Sequence, residues 1–488
     1  MEKITFLMLV VLISSYSLAQ SSDYNEQKHS IETIVDAFNK QDYKLMQKPW
    51  GIIGKLIISN NMLRKDFEPY FKRYGAATID TTIFSSIYNG TAELKFNAYP
   101  NNRTFLTFNF NEKGKVEGMG FGYPTFVYRK RVSTEEPFLL NTDKNKRIDS
   151  IVARYINNPS NNFNGCIMVT SGDDIIYKNC IGYSNFDKQI TLNDSSKFLL
   201  ASCTKQFTAI AIMQLQEQGK LNYDDNIKLY LPDFPYDNIT IRNLLTHTSG
   251  LPDYFLLLDK YWDKTKIATN NDVYSLLKEK KPRIQFSPNE YFIYSNTGYV
   301  ILSLIIEKIS GKTYNEFLVN NIFKPLKMNQ TFVYHRRKQI EKLENYALGY
   351  VFSKDMGRYI LPDSLEAYNY VTYMDGITGD DGVSSSIIDL KIWNEAIRNN
   401  SLVSQNSMDL ANTKHKLNDG KEINYGFGVF LIKGQTIENI AYHTGGWPGY
   451  STMILRFSDR NESIIILSNN DYDNFAFLVD EICAFILN

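Results

Sequence analysis

The feature that most constrains the fold is the distribution of strand-like and helix-like patterns between residues 145 and 488. Both ends of this stretch alternate with the two-residue period of strands, whereas the middle, from Ser202 to about Asn412, carries apolar residues at helical spacing. A predicted hairpin stands first, at 163–170 and 175–183, and four further strands stand last, at 425–432, 440–444, 450–457 and 463–467. First and last strands can join one sheet only if the helical insertion folds back over it.

The predicted fold class is therefore α/β in the α+β sense. It consists of an antiparallel sheet flanked by helices, together with a helical lobe. A cleft is expected where the sheet and the lobe meet, and such clefts hold ligands. We assign the whole of residues 145–488 to this single domain.

A smaller unit precedes this domain. Helical spacing at Ile31, Ile34 and Phe38 and a second predicted helix at Met62–Tyr74 are followed by four strand-like segments, with a turn at Asn89-Gly90. The pattern predicts a small α+β domain over residues 24–130, joined to the larger one by a polar linker at 131–144. In its element order the unit resembles nuclear-transport-factor-2-like cone folds, and we expect a spacer or a dimerisation module.

The first nineteen residues have the pattern of a signal peptide. Lys3 precedes an apolar run, Ile4–Ile13, and small residues end the segment at Ala19. The run is about half the ~20 residues that a membrane span requires. We therefore expect a periplasmic or secreted protein without an integral membrane span after signal removal. Cys166 and Cys180 could pair in that compartment, and the sequence alone leaves their pairing open.

Composition excludes several classes of function. The 53 Lys and Arg residues balance 53 Asp and Glu residues, so no net positive field favours nucleic acid. The four cysteines include no C-x-x-C pair, and the five histidines include no H-E-x-x-H sequence. We expect no metal and no cofactor, and the expected partner is a small-molecule or peptide substrate. The oligomeric state is left open.

Ser202 and Lys205 open a predicted buried helix that Gly219 terminates. Spacing of three places both side chains on one face, and the helix N-terminus favours developing negative charge. Burial lowers a lysine pKa toward values at which the amine can accept a proton, so the pair predicts a serine nucleophile with its base. An N-cap serine with a surface lysine is the alternative. The same spacing recurs at Ser275 and Lys278, among charges that predict a solvated face.

Tyr294 and Asn296 precede a second apolar helix, which Gly311 ends. A loop tyrosine at this place can point its phenol into a cleft beside Lys205, and Asn296 can bind a substrate amide. A purely structural tyrosine is the alternative, because the same triplet recurs at 183–185 on a predicted strand end.

A third element lies on a predicted strand near the C-terminus. An edge strand that ends in glycines lets a substrate backbone approach closely, and the amide of Gly446 could join that of Ser202 in an oxyanion hole. The predicted catalytic residues are Ser202, Lys205 and Tyr294. The predicted substrate-binding residues are Asn296, His443, Thr444, Gly445 and Gly446.

A similar run, His247 to Gly250, closes a predicted short helix at Ile241–Leu245 that Thr240 caps. We interpret this run as a structural turn.

Taken in order, Ser202-x-x-Lys205, Tyr294-x-Asn296 and His443-Thr444-Gly445 resemble the penicillin-recognising serine hydrolases, specifically the class C β-lactamase-related branch. Three further runs, at 244–251, 382–385 and 425–428, are similar to recurring segments of that family. The resemblance covers about residues 145–488 and implies a β-lactamase/transpeptidase-like fold.

The resemblance also implies roles for the residues. Ser202 is the acylated nucleophile, Lys205 and Tyr294 share general acid and base duty, and Asn296 orients the substrate. The implied function is an exported serine hydrolase that cleaves an amide or ester, of the β-lactamase, D-alanyl-D-alanine carboxypeptidase or esterase type. A catalytically silent binding or regulatory protein on the same fold is the alternative.

One residue departs from the family pattern. Class C β-lactamases carry a lysine where this chain has His443, and that lysine helps to hold the carboxylate of the drug. Histidine occurs there in related carboxypeptidases, D-amino-acid peptidases and esterases. We therefore expect acyl transfer with slow or absent hydrolysis of cephalosporins.

Overall fold

The computed structural model describes residues 25–46, 48–49, 77–86, 89–96, 99–110, 116–121, 141–156, 162–353, 355–432, 439–470 and 475–487. The chain divides into two compact units between Lys130 and Arg131. The predicted signal peptide and the predicted helix at Met62–Tyr74 lie outside the described residues.

The described residues of the first unit form two helices and a four-stranded sheet. Its elements are α1 (Asn25–Asn39), α2 (Tyr43–Met46), β1 (Ala77–Ser86), β2 (Asn89–Phe96), β3 (Tyr99–Phe110) and β4 (Val116–Phe121). The strands pair antiparallel in the order β1-β2-β3-β4, which confirms the predicted meander. Asn39 ties α1 to β1, because its side-chain amide both donates to and accepts from the backbone of Ala77, at 2.8 and 2.7 Å.

The predicted turn at Asn89-Gly90 is wrong. Asn89 pairs with Ser86 and Gly90 pairs with Phe84, so both residues already belong to β2. The register of this pairing shifts between Phe84 and Ser86, and β2 already begins at the two residues that the sequence assigns to the turn.

The strands of the second unit are numbered in chain order. They are β5 (Gly165–Ser171), β6 (Asp174–Ile181), β7 (Tyr183–Asn185), β8 (Ile190–Thr191), β9 (Phe198–Leu199), β10 (Phe332–Val333), β11 (Val351–Ser353), β12 (Arg358–Ile360), β13 (Val383–Ser385), β14 (His415–Lys416), β15 (Glu422–Ile423), β16 (Phe430–Ile432), β17 (Ile440–Trp447), β18 (Tyr450–Phe457) and β19 (Glu462–Ser468).

Six of these strands form the main sheet, in the order β16-β17-β18-β19-β5-β6. The last strand in sequence, β19, pairs with the first, β5, from Glu462 opposite Ser171 to Ser468 opposite Gly165. The predicted closure of the sheet by its first and last strands is therefore confirmed, and so is the β5–β6 hairpin.

The predicted strand at 425–432 is mostly wrong. Only Phe430–Ile432 forms a strand, and Tyr425 makes an isolated bridge to Phe430. The chain turns at Gly428, whose φ of +73° lies in the left-handed region. An alternating apolar pattern cannot show such a turn.

A second, three-stranded sheet has the order β10-β13-β9. Its strands are two or three residues long, and no periodicity predicts them. Leu199 of β9 pairs with Ser384 of β13 directly before the segment that carries Ser202.

The helices of the second unit are α3 (Asn141–Ala153), α4 (Lys205–Glu217), α5 (Ile241–Leu245), α6 (Tyr254–Tyr261), α7 (Asn270–Lys280), α8 (Asn296–Ser310), α9 (Tyr314–Leu318), α10 (Lys324–Leu326), α11 (Tyr370–Tyr373), α12 (Ile387–Arg398), α13 (Gln405–Ala411) and α14 (Phe475–Leu487). The helical interpretation of the middle segment is confirmed.

The first helix of this unit, α3, begins at Asn141, inside the segment predicted as a linker at 131–144, whose first ten residues lie outside the described residues. Ile148, Ile151 and Val152 on this helix are buried. These apolar residues follow a polar first turn, which by itself is typical of a linker.

The core of the second unit is built around α4, α8 and α12. Most side chains of α4 and α8 are buried, and Trp393 of α12 stacks on Phe207 of α4 with ring centroids 4.1 Å apart. Burial on almost all faces distinguishes α4 and α8 from amphipathic surface helices. The first residues of α4 and α8, Lys205 and Asn296, are hydrogen-bonded to each other, so the core holds both in place.

Cys166 of β5 and Cys180 of β6 face each other and form a disulfide bond. The pairing that the sequence leaves open is therefore present in the structure.

Across the described part of the chain, no helix is both long enough and apolar enough to cross a membrane.

Candidate active site

Ser202 lies in a single 3-10 turn, Ala201–Thr204, that leads directly into α4. Two hydrogen bonds hold the turn to the small sheet: the Leu200 amide donates to the Val383 carbonyl at 2.9 Å, and the Val383 amide donates to the side-chain hydroxyl of Thr204 at 3.2 Å. Ala201 has a φ of +47°, which is uncommon for a residue with a Cβ atom. Such strained backbone next to a candidate nucleophile is typical of functional sites.

Lys205, the first residue of α4, is completely buried. Its ammonium group donates to the Ser202 hydroxyl at 3.0 Å, to the side-chain oxygen of Asn296 at 2.9 Å and to the backbone carbonyl of Asp380 at 2.9 Å. All three acceptors are uncharged. Burial lowers the pKa of Lys205, and the nearby carboxyl groups of Asp380 and Asp381 oppose this effect. A lysine in this setting can exchange a proton with Ser202.

Tyr294 lies against the same ammonium group, with Lys205 Nζ 4.8 Å from the centroid of its ring. Its hydroxyl oxygen is buried and makes no hydrogen bond to any described residue. Burial raises the pKa of Tyr294 well above its usual value, and the nearby Ser202 hydroxyl partly offsets this. The phenol is therefore neutral and can donate a proton to a group that enters the site.

His443, Thr444, Gly445 and Gly446 lie on β17. Strand β16 pairs only with Ile440–Tyr442, so within the described residues the rest of β17 has a strand partner on the β18 side alone. In the described residues, the predicted sheet edge therefore runs only along the part of β17 from His443 to Trp447.

Gly445 is where β17 passes closest to the nucleophile turn. A Cβ atom at this position would lie 2.1 Å from the Leu200 carbonyl oxygen and 3.2 Å from the Cβ of Ala201. Only glycine allows this approach, which brings the neighbouring Gly446 beside the Ser202 turn.

The His443 ring is fully buried and both of its nitrogens are occupied. Nδ1 donates to the Thr444 carbonyl at 2.6 Å, so Nε2 is the acceptor for the Tyr425 hydroxyl at 3.1 Å. Burial and the charge of Lys205 lower the pKa of His443 to about 3. The ring is therefore neutral and presents no free nitrogen to the cleft, and the structure gives no support to a direct substrate contact by this side chain.

Asp380 and Asp381 are site residues that sequence reasoning missed. The Tyr254 hydroxyl donates to Asp380 Oδ2 at 3.0 Å, while Oδ1 has no partner among the described residues. Burial raises the pKa of both carboxyl groups, and the charge of Lys205 opposes the rise. No local signal indicates these residues, because they reach Lys205 only through the tertiary fold.

His247 also lies at the site, which the sequence did not predict. Its helix, α5, is capped by Thr240 as expected. The ring, however, packs on Tyr294 with centroids 4.1 Å apart.

The second Ser-x-x-Lys sequence, Ser275 and Lys278, lies on α7 away from these residues. Lys278 forms an ion pair with Asp233 at the surface.

The structure thus brings Ser202, Lys205, Tyr294 and Asn296 into contact, with β17 alongside. Within the described ranges, no group of three or more His, Cys, Asp or Glu side chains could hold a metal ion. The arrangement offers a hydroxyl nucleophile, a buried amine and a neutral phenol, which together can perform acyl transfer.

Comparison with known proteins gives consistent results. The family model described as Beta-lactamase matches residues 153–483. Penicillin-binding protein 4* of Bacillus subtilis (strain 168) is 44% identical over 311 residues, which cover 64% of this chain and 69% of that protein.

Solved structures show the same fold in the larger unit. A penicillin binding protein from Bacillus halodurans has a TM-score of 0.60 and 26% sequence identity, over 70% of this chain and 98% of that one. A D-amino acid amidase from Ochrobactrum anthropi SV3 has a TM-score of 0.57 and 22% identity, over 70% and 98% of the two chains.

Proposed function

The chain belongs to the β-lactamase family, as its resemblance predicted, and on this premise we propose that it is an active serine hydrolase that cleaves an amide or ester through an acyl-enzyme on Ser202. The observation that carries the proposal is the direct bond from Lys205 Nζ to Ser202 Oγ at 3.0 Å, made by a lysine that burial pushes toward its neutral form.

In the proposed mechanism, neutral Lys205 accepts the Ser202 proton as the oxygen attacks the substrate carbonyl. The backbone amides of Ser202 and Gly446 stabilise the oxyanion, and Asn296 orients the substrate. Tyr294 donates a proton to the leaving group, which then departs and leaves an ester on Ser202. Water attacks this ester as the Tyr294 phenolate removes its proton, and the Lys205 ammonium returns its proton to the Ser202 oxygen, so that Ser202, Lys205 and Tyr294 regain their initial protonation states.

The surroundings of Ser202 also favour one class of substrate. A β-lactam or a peptide with a free C-terminus carries a carboxylate close to the scissile bond, and a cation is needed to bind it. His443 is neutral, and Lys205 already donates to three oxygens. Asp380 and Asp381 add acidic groups near the same lysine. We therefore propose esters and amides that lack a carboxylate beside the scissile bond, including D-amino-acid amides, as substrates.

Covalent labelling tests the catalytic proposal. A fluorophosphonate should add to the purified protein once, at Ser202, and the Ser202→Ala variant should neither label nor hydrolyse p-nitrophenyl acetate. Ser275→Ala is the matched control, because it removes the serine of the similar sequence on α7 and should behave as the wild type. Absence of both a serine-dependent adduct and ester hydrolysis in the wild type would support the catalytically silent alternative.

A substrate panel tests the substrate class. The protein should hydrolyse p-nitrophenyl acetate or D-phenylalanine amide faster than nitrocefin, whose carboxylate would meet a neutral His443 and a Lys205 that already donates to three oxygens. Pairs of peptides that differ only in amidation of the C-terminus isolate this charge, and the amidated member should react faster. Rapid turnover of nitrocefin contradicts the proposal.

We also propose that the protein is exported to the periplasm or the medium. The signal-peptide pattern and the Cys166–Cys180 disulfide both support this location, because disulfides persist mainly in oxidising compartments. Amino-terminal sequencing of the mature protein should begin at Gln20. Recovery of a full-length, reduced protein from the cytoplasm would argue against export.

A further inference from the structure

His247 stands two residues beyond helix α5 in a left-handed backbone conformation, which is uncommon for residues that carry a Cβ atom. Its φ is +57° and its side chain is completely buried. A residue with a Cβ atom occupies the left-handed region only where its surroundings enforce it. Helix α5 is itself fixed to α8, because the Tyr299 hydroxyl donates to the Leu245 carbonyl at 2.8 Å.

The left-handed conformation turns both the carbonyl and the ring of His247 toward one extended segment. The Ile293 amide donates to the His247 carbonyl at 3.1 Å, and the Ser295 amide donates to Nδ1 of the His247 ring at 3.0 Å. These two bonds lie on either side of Tyr294. A single residue therefore holds the backbone on both sides of the phenol.

The second bond extends to the start of helix α8. Ser295 is the N-cap of this helix, and its hydroxyl accepts from the Gly298 amide at 3.3 Å. Asn296, which accepts from Lys205, is the next residue. The bond from the Ser295 amide to His247 Nδ1 thus fixes the backbone between Tyr294 and Asn296.

The His247 ring also forms a wall of the tyrosine site. Its centroid lies 4.1 Å from that of Tyr294 and 4.6 Å from that of Tyr425, which is bonded to His443. Because Nδ1 accepts from a backbone amide, the ring proton is on Nε2. Burial and the charge of Lys205 lower the pKa of His247 well below its usual value, so the ring remains a neutral acceptor.

We propose that His247 is a positioning residue of the reaction, which holds Tyr294 over the Lys205 ammonium group through its carbonyl, its Nδ1 atom and the face of its ring. The proposal rests on the proposed function, since it assigns Tyr294 to proton transfer. It predicts that loss of the Nδ1 acceptor lowers kcat more than it raises KM, because misplacement of the phenol affects the transition state.

Two substitutions separate the acceptor from the ring. Asparagine at position 247 tolerates a positive φ and places an oxygen near the position of Nδ1, whereas phenylalanine keeps a ring but offers no acceptor. His247→Phe should lower kcat about 10- to 100-fold with KM nearly unchanged, and His247→Asn should restore most of that loss. His415→Asn and His415→Phe are matched controls on β14 and should leave kcat unchanged.

Hydrogen exchange at the Ser295 amide, read by mass spectrometry with fragmentation, gives a measurement that does not depend on catalysis. Protection should fall in His247→Phe and persist in His247→Asn, and both variants should retain complete labelling of Ser202 by a fluorophosphonate. If wild type and variants all fail to react, loss of protection in His247→Phe alone still supports the positioning while the proposed function fails.

Two results would overturn the inference. One is a folded His247→Phe variant with wild-type kcat and a protected Ser295 amide. The other is an equal loss of kcat in the asparagine and phenylalanine variants despite equal labelling, because the Nδ1 acceptor would then have no separate effect. If His247→Phe does not fold, His247→Asn decides alone: it must keep both the protection of Ser295 and most of kcat.

Discussion

A Gly445→Ala substitution tests whether the close approach of β17 to the nucleophile turn controls catalysis. The added methyl group would lie 2.1 Å from the Leu200 carbonyl oxygen and 2.3 Å from the Thr452 hydroxyl. These two atoms are themselves joined by a hydrogen bond of 2.8 Å, so the methyl group would enter an existing contact. Since an ordinary contact begins near 3.4 Å, Leu200 must retreat by roughly 1 Å in a close-packed core.

That displacement moves Ser202, which follows Leu200 by two residues. A misplacement of about 1 Å can lower the rate about 10²-fold, and overpacking of this kind costs about 1–3 kcal/mol of stability. We therefore expect Gly445→Ala to remain folded while its acylation rate falls by roughly two orders of magnitude.

Gly219→Ala is the matched control, at the other end of helix α4. Gly219 has a φ of +68°, and a Cβ atom added there would meet no described atom within 4 Å. The substitution should cost about 1–2 kcal/mol through the left-handed backbone alone. Both variants thus lose comparable stability in urea unfolding, but only Gly445→Ala should lose rate. The measurement is the time course of fluorophosphonate labelling at Ser202. Labelling of folded Gly445→Ala at the wild-type rate would refute the reasoning.

Two further predictions concern charge and covalent structure. Asp380→Asn removes an anion that stabilises the Lys205 ammonium group, so the pKa of Lys205 should fall. Because Lys205 must be neutral to act as the base, the acid limb of the kcat/KM profile should then move to lower pH. A limb that stays in place or moves to higher pH would contradict this. Replacement of both Cys166 and Cys180 by serine removes a disulfide between residues that are 14 positions apart. The free energy of unfolding, measured in urea, should fall by about 3 kcal/mol. The site lies on other elements, so the kcat of the folded variant should equal that of the wild type.

The sequence predicts the elements that periodicity, helix-end residues and element order indicate. The β5–β6 hairpin and the buried helices α4 and α8 follow from local patterns, and the joining of the first and last strands in one sheet follows from element order. The ordered motifs also identify the side chains that the structure brings together around Lys205.

What the sequence does not predict depends on tertiary contacts. The strands β9, β10 and β13 are too short to show a period, although they hold the turn that carries Ser202. The Asp380 carbonyl accepts from Lys205 across a sequence separation of 175 residues, and no motif spacing predicts this contact. The run that begins at His247 predicts a structural turn because it closes a short helix, and only the fold shows that the His247 ring meets Tyr294.

The two Ser-x-x-Lys sequences show what turns a spacing into a candidate catalytic pair. Lys278 on α7 is bonded to Asp233 at 2.9 Å at the surface, and this bond raises its pKa. That lysine stays an ammonium ion and cannot act as a base at neutral pH. Lys205 has the same spacing to its serine, but it is fully buried and is bonded only to uncharged oxygens, so its pKa is lowered.

The difference between the two lysines arises from what covers them. Gly428 packs on the backbone of Lys205, where a Cβ atom would lie 2.7 Å from the Lys205 carbonyl oxygen, and Gly445 lets β17 close over the turn before it. These glycines and the apolar faces of α4 and α8 exclude water from the amine. Because desolvation is the largest influence on the Lys205 pKa, the basicity of this lysine is set by packing that lies mostly outside the Ser-x-x-Lys sequence.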